Sequence, residues 1–105
     1  MNDEMNDVNI RLPVPKKNKN EFFAIVEKRL GGSRMTVNCG DGKSRLARVP
    51  GNKKRRFKRI RDGDLLIIKP WTIQDEKADV VFHYRINQAR FLSRINKIPK
   101  DIDVF

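Results

Sequence analysis

From Phe22 to Arg85 apolar residues tend to recur at every second position, the spacing that turns one face of a β-strand to a core and the other to water. FFAIVEKRL (22–30) puts Ala24, Val26 and Leu30 on one parity and Glu27 and Arg29 on the other. GGS (31–33) reads as a turn. RMTVNC (34–39) alternates cleanly, with Met35, Val37 and Cys39 inward and Arg34, Thr36 and Asn38 outward. GDGK (40–43) has the glycines a tight hairpin needs for positive φ. SRLARVP (44–50) returns with Ala47 and Val49 on the core parity. A third turn, DGD (62–64), precedes LLIIK (65–69), a continuous apolar run of the kind found in a strand covered on both sides or at a barrel closure. PWTIQDEK (70–77) is a loop. ADVVFHYR (78–85) alternates again, with Ala78, Val80, Phe82 and Tyr84 set against Asp79, Val81, His83 and Arg85.

The period then changes. In INQARFLSRINKI (86–98) Phe91, Leu92, Ile95 and Ile98 recur three or four apart, which predicts a helix with one apolar side. Asn87 is a candidate cap and Pro99 a candidate stop. Residues 1–20 lack a hydrophobic period and hold RLPVPKKNKN, which reads as a flexible N-terminal tail with a basic end. The expected organisation is a tail over 1–20, a barrel over 21–85, a C-terminal helix over 86–98 and a C-terminal tail over 99–105. A meander of three strands followed by a longer connection fits a mainly β, five-stranded Greek-key barrel of the OB type. An SH3-like barrel has a similar strand pattern.

Charge changes the picture. The 105 residues carry 24 Lys and Arg against 13 Asp and Glu, a net +11. That balance favours a polyanionic partner. No stretch approaches the roughly 20 apolar residues of a membrane span, and the acidic, polar MNDEMNDVNI is not a secretory leader. A single cysteine, Cys39, excludes an internal disulfide, so a cytoplasmic location is expected.

Much of the charge is in one segment. Between Gly51 and Arg61, seven of eleven positions are Lys or Arg: Lys53, Lys54, Arg55, Arg56, Lys58, Arg59 and Arg61. Like charges repel, so a cluster this dense gains energy only against something negative, and phosphate contact is the direct reading. Phe57, inside the run, either stacks on a base or anchors the loop. Outward-facing Arg34 and Arg48, with Thr36 and Arg45 or Leu46, extend the surface over the face and loops that OB barrels use for oligonucleotides. Trp71 either stacks on a base or caps the barrel end. His83 and Arg85 point outward from the last strand.

Catalytic chemistry is not evident. The chain has one histidine, no Cys/His set with zinc spacing and no phosphate-binding glycine loop ending in GK[ST]. Neither an enzyme nor a resident metal or cofactor is expected.

LGGSRMTVNCGDGKSRLARVPG, then the basic loop, then RDGDLLIIKPW and KADVVFHYR resemble translation initiation factor 1A of archaea and eukaryotes, which is related to bacterial initiation factor one. The resemblance runs from about Glu21 to Ile95 and rests on motifs in order: C-x-DG, R-[IV]-x-G, GD, PW and KAD. It implies a non-enzymatic, S1-like OB barrel with a helical addition, acting as a monomer. The implied partner is the small ribosomal subunit and its rRNA at the decoding A site, where occupancy blocks early tRNA entry and promotes initiation-complex assembly and start-codon selection. It matches Lys53, Lys54, Arg55 and Arg56 to the loop that enters rRNA, with Arg48, His83 and Arg85 close by. The final DIDVF is similar to the tail by which eukaryotic relatives bind the initiation GTPase, factor 5B. The chain departs from the family at Gly51-Asn52, where the family has Gly-Lys, and in RRFKRI, which has one residue more, so that Phe57 or Ile60 takes the apolar place. Two other classes remain open: a single-stranded RNA chaperone of OB type, and a protein whose charged loop docks an acidic partner.

Overall fold

A computed structural model describes residues 12–105. Five strands, β1 (Phe22–Gly31), β2 (Arg34–Cys39), β3 (Ser44–Arg48), β4 (Leu65–Pro70) and β5 (Lys77–His83), precede one helix, α1 (Ile86–Arg94). The strands close into a barrel in the order β1-β2-β3-β5-β4. All neighbours are antiparallel except β3 and β5, whose parallel pairing (Leu46 with Lys77, Arg48 with Asp79) is the Greek-key crossover. This is the OB topology, and closure leaves no free sheet edge.

Two apolar clusters explain the pattern. Ala24, Val26, Met35, Val37, Cys39, Ala47, Leu66, Ile68, Ala78 and Val80 fill the barrel. Phe23, Ile25, Leu65 and Ile67, on the other faces of β1 and β4, pack with Ala89, Phe91 and Leu92 of α1. The unbroken LLII run thus serves two cores at once.

Turn chemistry sets the register. Gly42 has φ 90° at the β2–β3 hairpin, where Cys39 N–H donates to Lys43 O at 2.8 Å. Gly40 lies against the Pro99 ring, which leaves no room for a side chain at that position.

Three details differ from the periodicity. Leu30 is exposed (47%), not in the core, because register shifts after Val26 and Arg29 break the parity of β1. Arg45, not outward, is buried (4%) on the parity of Ala47 at the end of the barrel. The helix stops at Arg94, not at Pro99: Asn96 adopts φ 60°, and Asn96 N–H and Lys97 N–H donate to Ser93 O and Leu92 O at 3.0 and 2.9 Å. That is a Schellman cap with Asn as the left-handed residue. Ile95 beside it is exposed (37%). At the other end Arg85, not Asn87, is the N-cap, and its N–H donates to Gln88 Oε1 at 2.8 Å.

Of the tail expected over 1–20, residues 1–11 lie outside the described residues. Leu12 is buried in the helix-side cluster, and Tyr84 donates its hydroxyl proton to Pro13 O. The C-terminal segment also folds back: Ile102 is buried, Phe105 packs against the same cluster, and Ser93 Oγ donates to Asp103 Oδ2 at 2.7 Å.

Candidate nucleic-acid interface

The basic segment begins as a 3-10 turn, Gly51–Lys53, and continues through further turns to Arg59. Lys53 O accepts from both Arg56 N–H and Phe57 N–H at 3.0 Å. This winding sends Phe57 and Ile60 inward, 8% and 2% exposed, into the barrel cluster. Phe57 meets Phe82 and His83 edge-on, with ring centroids 6.4 and 6.5 Å apart. Of its two readings, this burial supports the anchoring one. Lys54, Arg55, Arg56, Lys58, Arg59 and Arg61 remain exposed. Lys53 is half-buried, its Nζ 3.4 Å from Val81 O. Two plugged apolar side chains thus hold a cationic ridge on the barrel with its charges facing solvent.

Clefts lie on both sides of the ridge. One, of about 570 Å³, is bounded by Arg55, Arg56, Lys58 and Arg59 of the loop and by His83, Arg85 and Gln88 across from them. The other, of about 180 Å³, brings Lys54 and Lys58 to Arg29 and Arg34. Among the described residues no carboxylate lines either cleft.

His83 is half-buried, not a free outward side chain. Its Nε2 lies 2.8 Å from Asp64 Oδ2, which also accepts Arg61 N–H at 2.9 Å, so one carboxylate ties the loop's exit to β5. The DGD turn is stitched to β1 as well: Gly63 N–H donates to Val26 O, Val26 N–H to Asp64 O and Arg29 N–H to Asp62 Oδ1.

On the adjoining face Arg34 and Arg48 are direct cross-strand partners. Arg48 also neighbours Asp79 on β5, with Nε 3.3 Å from Oδ1. Its guanidinium stands 4.9 Å from the centroid of Trp71, and Trp71 Nε1–H donates to the same Asp79 oxygen at 3.0 Å. Trp71 is half-buried and engaged by cations from β3 and β5, since Lys77 Nζ lies 5.4 Å from its ring.

Opposite chemistry is found at Arg45. Its guanidinium forks onto Asp41 at 2.9 and 2.7 Å, and its Nε donates to Asp75 O at 2.7 Å. Hydrogen bonding from Arg45 holds the Asp41 carboxyl below its ordinary range, and burial pushes the Cys39 thiol up. The thiol is therefore a packed core group, not a nucleophile.

The structure brings Arg55, Arg56, Lys58, Arg59, His83 and Arg85 around one cleft, and Arg34 and Lys54 around the second. Arg48 and Trp71 form a separate stacked pair. Sequence reasoning missed Arg29 and Gln88 as cleft residues, and Asp64 and Asp79 as the carboxylates behind the cations. Asp79 lies two residues after Lys77 on the outward parity, a position that pattern alone assigns to solvent. Among the described residues there is no group of His, Cys, Asp and Glu able to hold a metal, and no helix long and apolar enough to cross a membrane.

The Translation initiation factor 1A / IF-1 family model matches residues 9–104. The chain belongs to this family. It is 49% identical over 104 residues to Translation initiation factor 1A of Picrophilus torridus, covering 98% of this chain and 95% of that one. It is 50% identical over 95 residues to that of Thermoplasma acidophilum, covering 90% and 79%. The solution structure of translation initiation factor one from the Wolbachia endosymbiont strain TRS of Brugia malayi aligns with a TM-score of 0.47 at 23% identity, over 74% of this chain and 94% of that one. The family match spans the ridge, both clefts and the helix.

Proposed function

We propose that this initiation factor binds the small ribosomal subunit through rRNA at the decoding A site, where its occupancy blocks premature tRNA entry and promotes initiation-complex assembly and start-codon selection. The carrying observation is the ridge: Phe57 and Ile60 are buried while Lys54, Arg55, Arg56, Lys58, Arg59 and Arg61 face solvent between two carboxylate-free clefts. Folding this arrangement brings like charges together, and RNA phosphates are the ligand that relieves the repulsion. Phosphate contacts supply affinity; Arg48, Arg34 and Arg85 fix position. The protein acts by occupancy, as a monomer in the cytoplasm, without cofactor or catalysis.

An OB-type single-stranded RNA chaperone stacks bases on aromatic residues of β2 and β3. Here those strands carry none, which favours the ribosomal reading. Ile102 is buried, so in a contact of the C-terminal DIDVF with the initiation GTPase, factor 5B, Val104, 71% exposed, is the apolar residue available.

Chemical footprinting of archaeal small-subunit rRNA, with and without the protein, tests the reading. Protection confined to the decoding region is expected. Protection elsewhere, or equal affinity for free oligonucleotides and intact subunits, contradicts it.

A further inference from the structure

Asp79 is a carboxylate on a surface whose ligand is anionic, a placement that weakens RNA binding unless the side chain does something else. Its Oδ1 accepts Trp71 Nε1–H at 3.0 Å and lies 3.3 Å from Arg48 Nε. Those two groups are in turn stacked, guanidinium to indole at 4.9 Å. Without a counter-charge Arg48 is repelled by its direct cross-strand partner Arg34. Because Asp79 engages Arg48 through Nε, the two Nη nitrogens have no hydrogen-bond acceptor among the described residues. They form the end of the guanidinium fork that recognises a phosphate or a guanine edge.

We infer that Asp79 is a positioning residue for RNA, holding Arg48 over the Trp71 ring so that its two Nη groups are presented to the ligand. This rests on the RNA-binding reading above. A tethered arginine has fewer rotamers to lose on binding, a gain that opposes the repulsion of one partly exposed carboxylate. The ligand class is a phosphodiester or base edge of folded small-subunit rRNA.

The test compares Asp79→Ala with Asp79→Asn. Asparagine keeps an oxygen that accepts from both Trp71 and Arg48 and removes only the charge. Alanine removes the acceptor and the charge together. Affinity for small subunits at fixed salt is expected to fall about fivefold in Asp79→Ala, the upper end for an exposed ion pair, and to return to within about twofold of wild type in Asp79→Asn. In an Arg48→Ala background Asp79→Ala is expected to add little, since the carboxylate acts through Arg48. Trp71 is the chain's one tryptophan, so acrylamide quenching of its emission reads the tether directly and is expected to rise in Asp79→Ala only. Should that variant fail to fold, Asp79→Ser replaces it.

Tighter binding in both variants overturns the inference, since Asp79 then only repels RNA. Unchanged binding and quenching in Asp79→Ala overturn it as well. If the wild-type protein itself does not bind small subunits, the RNA-binding reading and the inference both fail; wild-type binding with an indifferent Asp79→Ala sinks the inference alone.

Discussion

Arg45 joins two loops through one buried guanidinium: Asp41 in the β2–β3 hairpin and Asp75 in the β4–β5 loop. Removing it takes away the cation between the two carboxylates and leaves Asp75 with Lys43 alone, whose Nζ lies 2.9 Å from its Oδ2. Arg45→Ala is therefore expected to destabilise the fold by about 2–4 kcal/mol, read as a lowered denaturant midpoint. The Asp41 carboxyl, held low chiefly by its hydrogen bond from Arg45, gives this site a pH signature. An acid depressed on folding adds stability that is present above its unfolded value, near 3.8, and is lost as pH falls through the folded value. The melting temperature of Asp41→Asn should lie below that of wild type by a constant amount from about pH 5 to 7, and the gap should close below about pH 3.8. A gap that persists undiminished to strongly acid pH contradicts this. Sequence parity pointed toward this site without identifying it. Arg45 shares the face of Ala47 and Val49, but a charged residue on a core parity is ordinarily read as a strand end. What reveals it is Asp41, four residues earlier, and only the folded hairpin brings the two together.

At the scale of elements, the basic loop depends on its anchor. Phe57→Ala opens a cavity against Phe82 and His83 and is expected to cost about 2–4 kcal/mol in thermal unfolding. It should also weaken small-subunit binding although no charge is lost, because the ridge loses its seat. Unaltered binding in a destabilised variant would mean that the ridge needs no fixed shape. The helix end provides a second check. Asn96→Val forces a β-branched residue into φ 60° and should destabilise by about 1–2 kcal/mol, whereas Asn96→Gly should be neutral or stabilising. The strands were legible because burial follows the pattern: alternation marks β2 and β5, where one face lines the barrel and the other is less buried, and the unbroken LLII marks β4, whose two faces serve two cores. Leu30 was misread because two bulges in β1 leave no trace in a period-two pattern. The helix was legible from Phe91 and Leu92, but its end was not, because Asn96 makes a left-handed cap without the usual glycine and Pro99 gave a false stop. Pro99 instead packs on Gly40.

For the whole molecule, closure of the barrel gathers charge from distant parts of the sequence. Arg29 and Arg34 of β1 and β2, Lys54 to Arg59 of the loop, and Arg85 beside α1 converge around two clefts. The sequence made the loop visible as a run, but the clefts depend on the folded barrel, which sets the end of β5 and the start of α1 across from the loop at one cleft and β1 and β2 beside it at the other. Several of the residues singled out in the sequence also make contacts within the protein: Phe57 is buried, His83 Nε2 lies 2.8 Å from Asp64, and the Arg48 guanidinium stands over Trp71. The salt dependence of small-subunit binding tests the central claim most directly, measured for wild type and for a variant with Lys54, Arg55, Lys58 and Arg59 replaced by Ala. If the ridge holds phosphates, the wild-type slope of log K against log salt is steep, about −0.7 to −0.9 for each phosphate neutralised. The variant should lose orders of magnitude in affinity at moderate salt and about three units of slope, with its melting temperature retained. A folded variant that binds with the wild-type affinity and slope would contradict the account.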